Sequence, residues 1–413
     1  MLKFFTSRNI YVFGLTLIAV GLTLSPALMS IGQFVILLNW IIDPNLFGKI
    51  KSTFKNKYFI SFLVIFAIHI VGLLYTTNFQ YAFKDIRIKL PLLIIPLVVA
   101  SSARLNEKEL RVIFYSLIYS VLASSLYSTY LYLNIDNSNV DTLRSISPII
   151  SHIRFSLITC VAFYICIYLF IRDYNHNTID FKSYLLLILA AWFFVFIGIL
   201  GARAGYLSIL IAGLYVAFNA VLKSKKYIYL WLALSAFIVL PIMMYKLSSS
   251  VERRVSEVFS EIDNYKKGGN PTGHSVTQRF VYWKIALELF KDKPLLGQGT
   301  GDIDDAYKNY YASHETPLSK EYQFRAHNQY FTIICTFGII GFLFFIYGLA
   351  YPFLSRRLHT EMLASVFMII LLLSMLTEDT IETQAGATFF AYFYSLFILN
   401  WKQNDKLQES LQP

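Results

Sequence analysis

Apolar and polar positions fall in long blocks along this chain. Twelve apolar runs lie at about 10–24, 27–42, 58–75, 88–101, 110–133, 153–171, 183–200, 204–222, 227–246, 328–351, 361–376 and 385–400. A helix needs roughly 20 apolar residues to cross a bilayer, and several runs approach that length without a charge. The pattern predicts an all-α polytopic membrane protein with about 12 transmembrane helices. The first two runs form a tight hairpin around Ser25-Pro26, and the fourth carries Pro91 and Pro96. A single long polar stretch interrupts the blocks. It divides the chain into an N-terminal membrane bundle of about nine spans (1–246), a loop (247–326), three further spans (327–400) and a polar tail (401–413).

Inside the loop the apolar period shortens to that of surface helices. Val251, Val255, Val258, Phe259 and Ile262 recur at helical spacing, which predicts an amphipathic helix over 251–266. The run Lys266-Lys267-Gly268-Gly269-Asn270-Pro271 ends it. A second helix opens near Thr277 and runs to Phe290. Its mix of aromatic and apolar residues suits the outer membrane–water interface. A turn over Lys293–Asp302 precedes a third helix, about 302–312, with Ile303 and Tyr307 on one face.

Composition agrees with a membrane setting. Hydrophobic residues make up 56% of the 413 positions and charged ones 15%, against about 25% charged in an average soluble domain. The formal charge of +11 invites a nucleic-acid partner, but the basic residues sit in short clusters between apolar runs, as cytoplasmic loops do. With the N-terminus inside, eighteen of the 36 Lys and Arg fall in inside segments and six in short outside loops. The other twelve lie between Lys246 and Arg325, in a stretch too long for the charge rule to weigh. Both termini are therefore expected in the cytoplasm and the long loop outside. Cys160, Cys166 and Cys335 lie within apolar runs and read as packing residues; no His/Cys/carboxylate spacing suggests a zinc site.

The candidate chemistry gathers at outer edges. His327 and Asn328 stand at the mouth of the tenth run, and histidine can take a proton from a hydroxyl near neutral pH. Arg203 occupies a very short outside turn between Gly201 and Gly205, where a cation is costly unless it meets an anion or water. Arg279 opens a helix, an unfavourable end for a cation unless an anion binds there too. Arg87, Lys89, Arg144, His152 and Arg154 could line an anion path or hold lipid headgroups. Glu378, Asp379 and Glu382, between the last two runs, could pair with the arginines or orient the histidine. Gly297-Gln-Gly299-Thr-Gly301 has the look of a phosphate cradle but lacks a following Gly-Lys-Ser/Thr.

One stretch resembles a known family. His327-Asn328, nine residues, then Gly338-Ile-Ile-Gly341 matches the O-antigen ligase pattern of His, then Asn, Ser or Gln, nine residues and Gly-x-x-Gly. The resemblance extends to the plan of twelve spans with one large periplasmic loop before the span that begins at the histidine. It implies a GT-C type glycosyltransferase fold in the bacterial inner membrane, with the active site facing the periplasm. It implies transfer of a glycan from undecaprenyl diphosphate to lipid A-core or another glycan acceptor, without a cofactor, metal or ATP. On it, His327 is catalytic and Arg203 and Arg279 bind the diphosphate; Asn328, Arg87, Lys89, Glu378, Asp379 and Glu382 are expected, from their positions, to support them. O-antigen polymerases and protein O-oligosaccharyltransferases share the superfamily. Polymerases often carry Arg-x10-Gly repeats; Arg203 reaches Gly213 with nine between, and Arg279 has no glycine at that offset. A transporter of lipid-linked glycan would instead place ionisable residues deep within its spans.

Overall fold

The computed structural model describes residues 6–134, 146–225, 249–354 and 361–400, with scattered positions between 226 and 248. The ninth predicted run, the tail and Arg144 lie mostly or wholly outside the described residues. Every regular element among the described residues is helical: α1 (Ser7–Leu24), α2 (Pro26–Ile41), α3 (Leu46–Thr53), α4 (Lys57–Val71), α5 (Phe79–Lys89), α6 (Pro91–Ser101), α7 (Glu107–Asn134), α8 (His152–Asn175), α9 (Phe181–Leu200), α10 (Arg203–Ser224), α11 (Ser249–Lys266), α12 (Thr277–Asp292), α13 (Ile303–Ser313), α14 (Gln329–Ala350), α15 (Met362–Thr377) and α16 (Gln384–Tyr394), with short 3-10 or π turns extending several of them.

Local chemistry sets the boundaries. Ser25 closes α1 by donating its N–H to Gly21 and opens α2 by accepting from Leu28 N, with Pro26 at the first helical position. Asn56, Asn78, Asp180, Asn328 and Thr383 cap α4, α5, α9, α14 and α16 in the same manner. Seven helices are long and apolar enough to cross a membrane, or eight if α2 and α3, bent by 110°, count as one span. α15 and α16 are apolar but shorter. The fourth predicted run supplies only the 11-residue α6, because Pro91 starts a new helix there. The described helices thus form a multi-pass bundle without establishing twelve spans.

Contacts sort the helix ends. Arg8 pairs with Glu109, and Arg111 with Asp173 at 2.6 Å, at one end. The loop between α15 and α16 meets Arg279 and Lys89 at the other. The main core joins α1, α2, α4, α6–α10 and α14–α16. A second, smaller core sits under the long loop: Val281, Tyr282, Ile285, Ala286 and Leu289 of α12 close over Ile303, Tyr307 and Cys335. The apolar face of α12 therefore packs on protein, where the sequence suggested lipid; Trp283 donates to Ala326 O at 3.1 Å and stacks on Phe331.

α14 is broken at Gly338 (φ 62°, ψ −167°), a conformation open in practice only to glycine. The turn after α12 fills the break. Gln298 and Gly299 donate their N–H groups to Cys335 O and Thr336 O, both at 2.9 Å, and Pro294 O accepts from Ile339 N at 2.8 Å. In a membrane, irregular backbone survives only where protein or water satisfies it, and here the loop does so. Further groups of that loop are also used: Gly301 N donates to Thr76 Oγ1 at 2.9 Å, Thr300 N to Gly72 O at 3.5 Å, and the Thr300 hydroxyl to His69 O at 2.7 Å. None of Gln298, Gly299 or Gly301 keeps its amide free, so the glycine-rich loop cradles a helix instead of a phosphate. Gly338 meets this loop, and Gly348 makes the close approach to α4, near Ser61 and Ile65.

A methyl group at position 338 would run into the Leu295 carbonyl and demand a forbidden φ. Gly338→Ala is expected to cost at least the roughly 1–3 kcal/mol of such backbone strain. Thermal unfolding in detergent checks this, and an unchanged melting temperature would contradict the role given to the break.

Candidate active site

The junction before α14 is tightly specified. His327 adopts a left-handed backbone (φ 46°), uncommon for any residue but glycine. Its neighbours hold it there. Asn328 accepts from Tyr330 N at 3.0 Å and Phe331 N at 3.2 Å, and donates from Nδ2 to Leu376 O at 2.9 Å. That last bond ties the start of α14 to the end of α15. The imidazole lies between the rings of Tyr282 and Phe324, each 5.8 Å away. Burial lowers its pKa below the usual 6.5; Asp379 opposes that shift, while Arg279 and Arg325 reinforce it. The ring is thus neutral at pH 7 and ready to accept a proton, with a carboxylate near enough to favour the imidazolium once formed.

The loop from Glu378 to Glu382 is the electrostatic hub. Glu378 meets Arg279 at 3.4 Å, and Arg279 also donates to Ser275 O at 3.0 Å. Burial raises the Glu378 pKa, against the pull of Arg279 and Arg154. Asp379 accepts from Thr332 Oγ1 at 2.6 Å. Glu382 is held by Lys89 at 2.9 Å, Arg325 at 3.6 Å and Gln329 Nε2 at 3.1 Å, while Gln329 Oε1 accepts from Ile381 N at 2.9 Å. Burial would raise the Glu382 pKa, but Lys89 and Arg325 outweigh it and keep the carboxyl well below its usual range. Burial likewise works against the Lys89 charge, and Glu382 with Asp85 (2.5 Å) more than compensates.

These contacts sort the residues predicted from sequence. His327, Asn328, Arg279, Glu378, Asp379 and Glu382 come together at one end of the bundle. Arg203, exposed at the start of α10, lies within electrostatic reach of Arg279, Glu261 and Glu257. Arg154 faces Glu378 and Asp379. Lys89 departs from the anion-path reading: only 1% exposed, it spends its charge on Asp85 and Glu382. The Arg87 side chain is exposed and makes no hydrogen bond or ion pair among the described residues. Sequence reasoning passed over Arg325, which donates to Tyr81 Oη at 2.8 Å and pairs with Glu382. Its place two residues before His327 was the available signal. Asp85 was signalled by its position four residues before Lys89 on one helix.

Arg279 is thus within electrostatic reach of both Arg203 and the neutral His327 imidazole, and guanidiniums grouped in this way are suited to an anion. Residues 185–346 match the model of a family described as O-antigen ligase. No curated protein matches the chain. The matched segment begins within α9, ends within α14, and contains Arg203, Arg279, Arg325 and His327. The resemblance of this chain to the O-antigen ligase family thus rests on a family match across the segment that carries the histidine and these arginines.

Proposed function

We propose that this chain is an O-antigen ligase-like glycosyltransferase of the bacterial inner membrane, acting at the periplasmic face. It moves a polysaccharide from undecaprenyl diphosphate to a hydroxyl of lipid A-core. The observation that carries the reading is the meeting of His327, neutral at pH 7, with Arg279 at the mouth of α14, inside the segment that matches the family. The acceptor hydroxyl oxygen attacks the anomeric carbon while His327 takes its proton. The bond from that carbon to the diphosphate breaks, and its electron pair leaves with the diphosphate oxygen. Arg279 and Arg203 meet charge that grows as the bond breaks, so they stabilise the transition state more than the ground state. Direct attack inverts the anomeric centre and needs neither metal nor ATP. Glu378, whose pKa burial raises, yields Arg279 to the incoming diphosphate more readily than an ordinary carboxylate would. Lys89 and Arg325 fix Glu382, and Gln329 links that carboxylate to the first turn of α14, next to the histidine.

Deletion of the gene in its host tests this reading. Full-length lipid-linked polymer accumulating beside bare core is expected. Core bearing a single repeat would mark a polymerase, the nearest alternative, and normal lipopolysaccharide with an unglycosylated protein would mark a protein O-oligosaccharyltransferase.

The pH dependence follows from the base. The proton-accepting form of His327 is the neutral one, and its pKa lies below 6.5. Transfer should therefore stay on a plateau through neutral pH and decline only at pH values below that figure. Asp379→Asn removes the charge that raises the pKa, so the acid limb should move to lower pH. A limb that stays fixed or moves up would contradict the assignment of His327 as the base.

A further inference from the structure

At the end of the bundle opposite His327 lies a cavity of about 510 Å³ among α7, α8, α15 and the turn after α16. The 16 residues of α15 separate the two ends by about 24 Å at 1.5 Å per residue. Phe114, Leu363 and Phe397 line it with apolar surface, and Arg104 and Asn400 line it with polar groups. Asn400 is 3% exposed and spends Oδ1 on Leu105 N at 2.8 Å. Its Nδ2 has no partner among the described residues, and neither has the half-buried Arg104 guanidinium. The N-terminal turns of α7 and α15 also open onto the cavity, and such turns favour an anion. Two carboxylates line it as well, and both are engaged: Glu107 by Arg111 at 3.2 Å and Arg172 at 2.6 Å, and Glu361 within the protein.

We infer that this cavity is a phospholipid site: Arg104 and the Asn400 amide hold the headgroup phosphate, and an acyl chain lies along Phe114, Leu363 and Phe397. The Asn400 Nδ2 amide and the Arg104 guanidinium both line the cavity with no hydrogen-bond or ion-pair partner among the described residues, so a phosphate there would gain a charge-assisted contact from each. The apolar side chains in the same lining select an amphiphile over a free anion.

Native mass spectrometry of the full chain, released from detergent with phosphatidylglycerol or with inorganic phosphate, tests the site. The wild type is expected to retain one phosphatidylglycerol. Arg104→Gln should retain at least fivefold less, and Arg104→Lys, which keeps the charge, should retain most of it. Only the monodisperse fraction is compared, so misfolding does not imitate lipid loss. Equal retention by the wild type and Arg104→Gln would overturn the inference, as would inorganic phosphate displacing the lipid at equal concentration.

Discussion

Replacing His327 by asparagine is expected to slow glycan transfer by about 10²- to 10⁴-fold, the contribution of a positioned general base. Asparagine is the informative substitute because position 327 has φ 46°, and asparagine tolerates the left-handed region better than alanine does. The cap at Asn328 and the bond from Asn328 to Leu376 O stay in place, so the start of α14 should hold its position. The amide cannot take a proton at neutral pH. Transfer at half the wild-type rate or more, measured on purified protein, would remove His327 from the role of base.

Glu382→Ala should be the most destabilising change at this end of the bundle. The side chain is the common partner of Lys89 and Arg325 and also accepts from Gln329. Removing it leaves Lys89 with Asp85 alone and takes the only carboxylate ion-paired with Arg325 among the described residues. Breaking a buried pair by deleting one member costs about 3–5 kcal/mol, because the stranded charge remains desolvated. Glu382→Gln keeps a hydrogen-bonding group beside Gln329 and should cost less. Equal melting temperatures for the wild type and the alanine variant would contradict the hub. Activity should fall with stability, since Gln329 links the loop to the first turn of α14.

Much of the architecture was legible in the pattern of apolar runs. The hairpin at Ser25-Pro26 formed on its local cap, and the loop helices near 251–266, 277 and 302–312 formed where the apolar period is local. What the runs concealed was partnership. The tenth run reads as one continuous span, yet α14 breaks at Gly338, and the groups that mend it come from Pro294–Gly299. A helix-period pattern records apolarity and is silent on where a backbone carbonyl finds its donor. For the same reason α12 resembled an interfacial helix until the small core around Tyr282 and Cys335 claimed its apolar face. In the proposed site, type and edge position singled out His327 and Arg279, which the structure brings within electrostatic reach of each other. Lys89 carried the same signal and proved to be buried in an ion pair, since sequence shows charge but not burial. Arg325 was lost among the basic residues of the loop, although only two positions separate it from the histidine.

The central claim is that this end of the bundle transfers a glycan from a lipid diphosphate, with His327 as base and Arg279 on the leaving group. The direct measurement is transfer by the purified chain in vesicles, given an undecaprenyl-diphosphate-linked glycan, lipid A-core and a chelator, without ATP. Glycosylated core and released undecaprenyl diphosphate are expected in equal amounts, with both lost in His327→Asn and in Arg279→Gln. Product formed at the wild-type rate by both variants, or no product from the wild type, would contradict the claim.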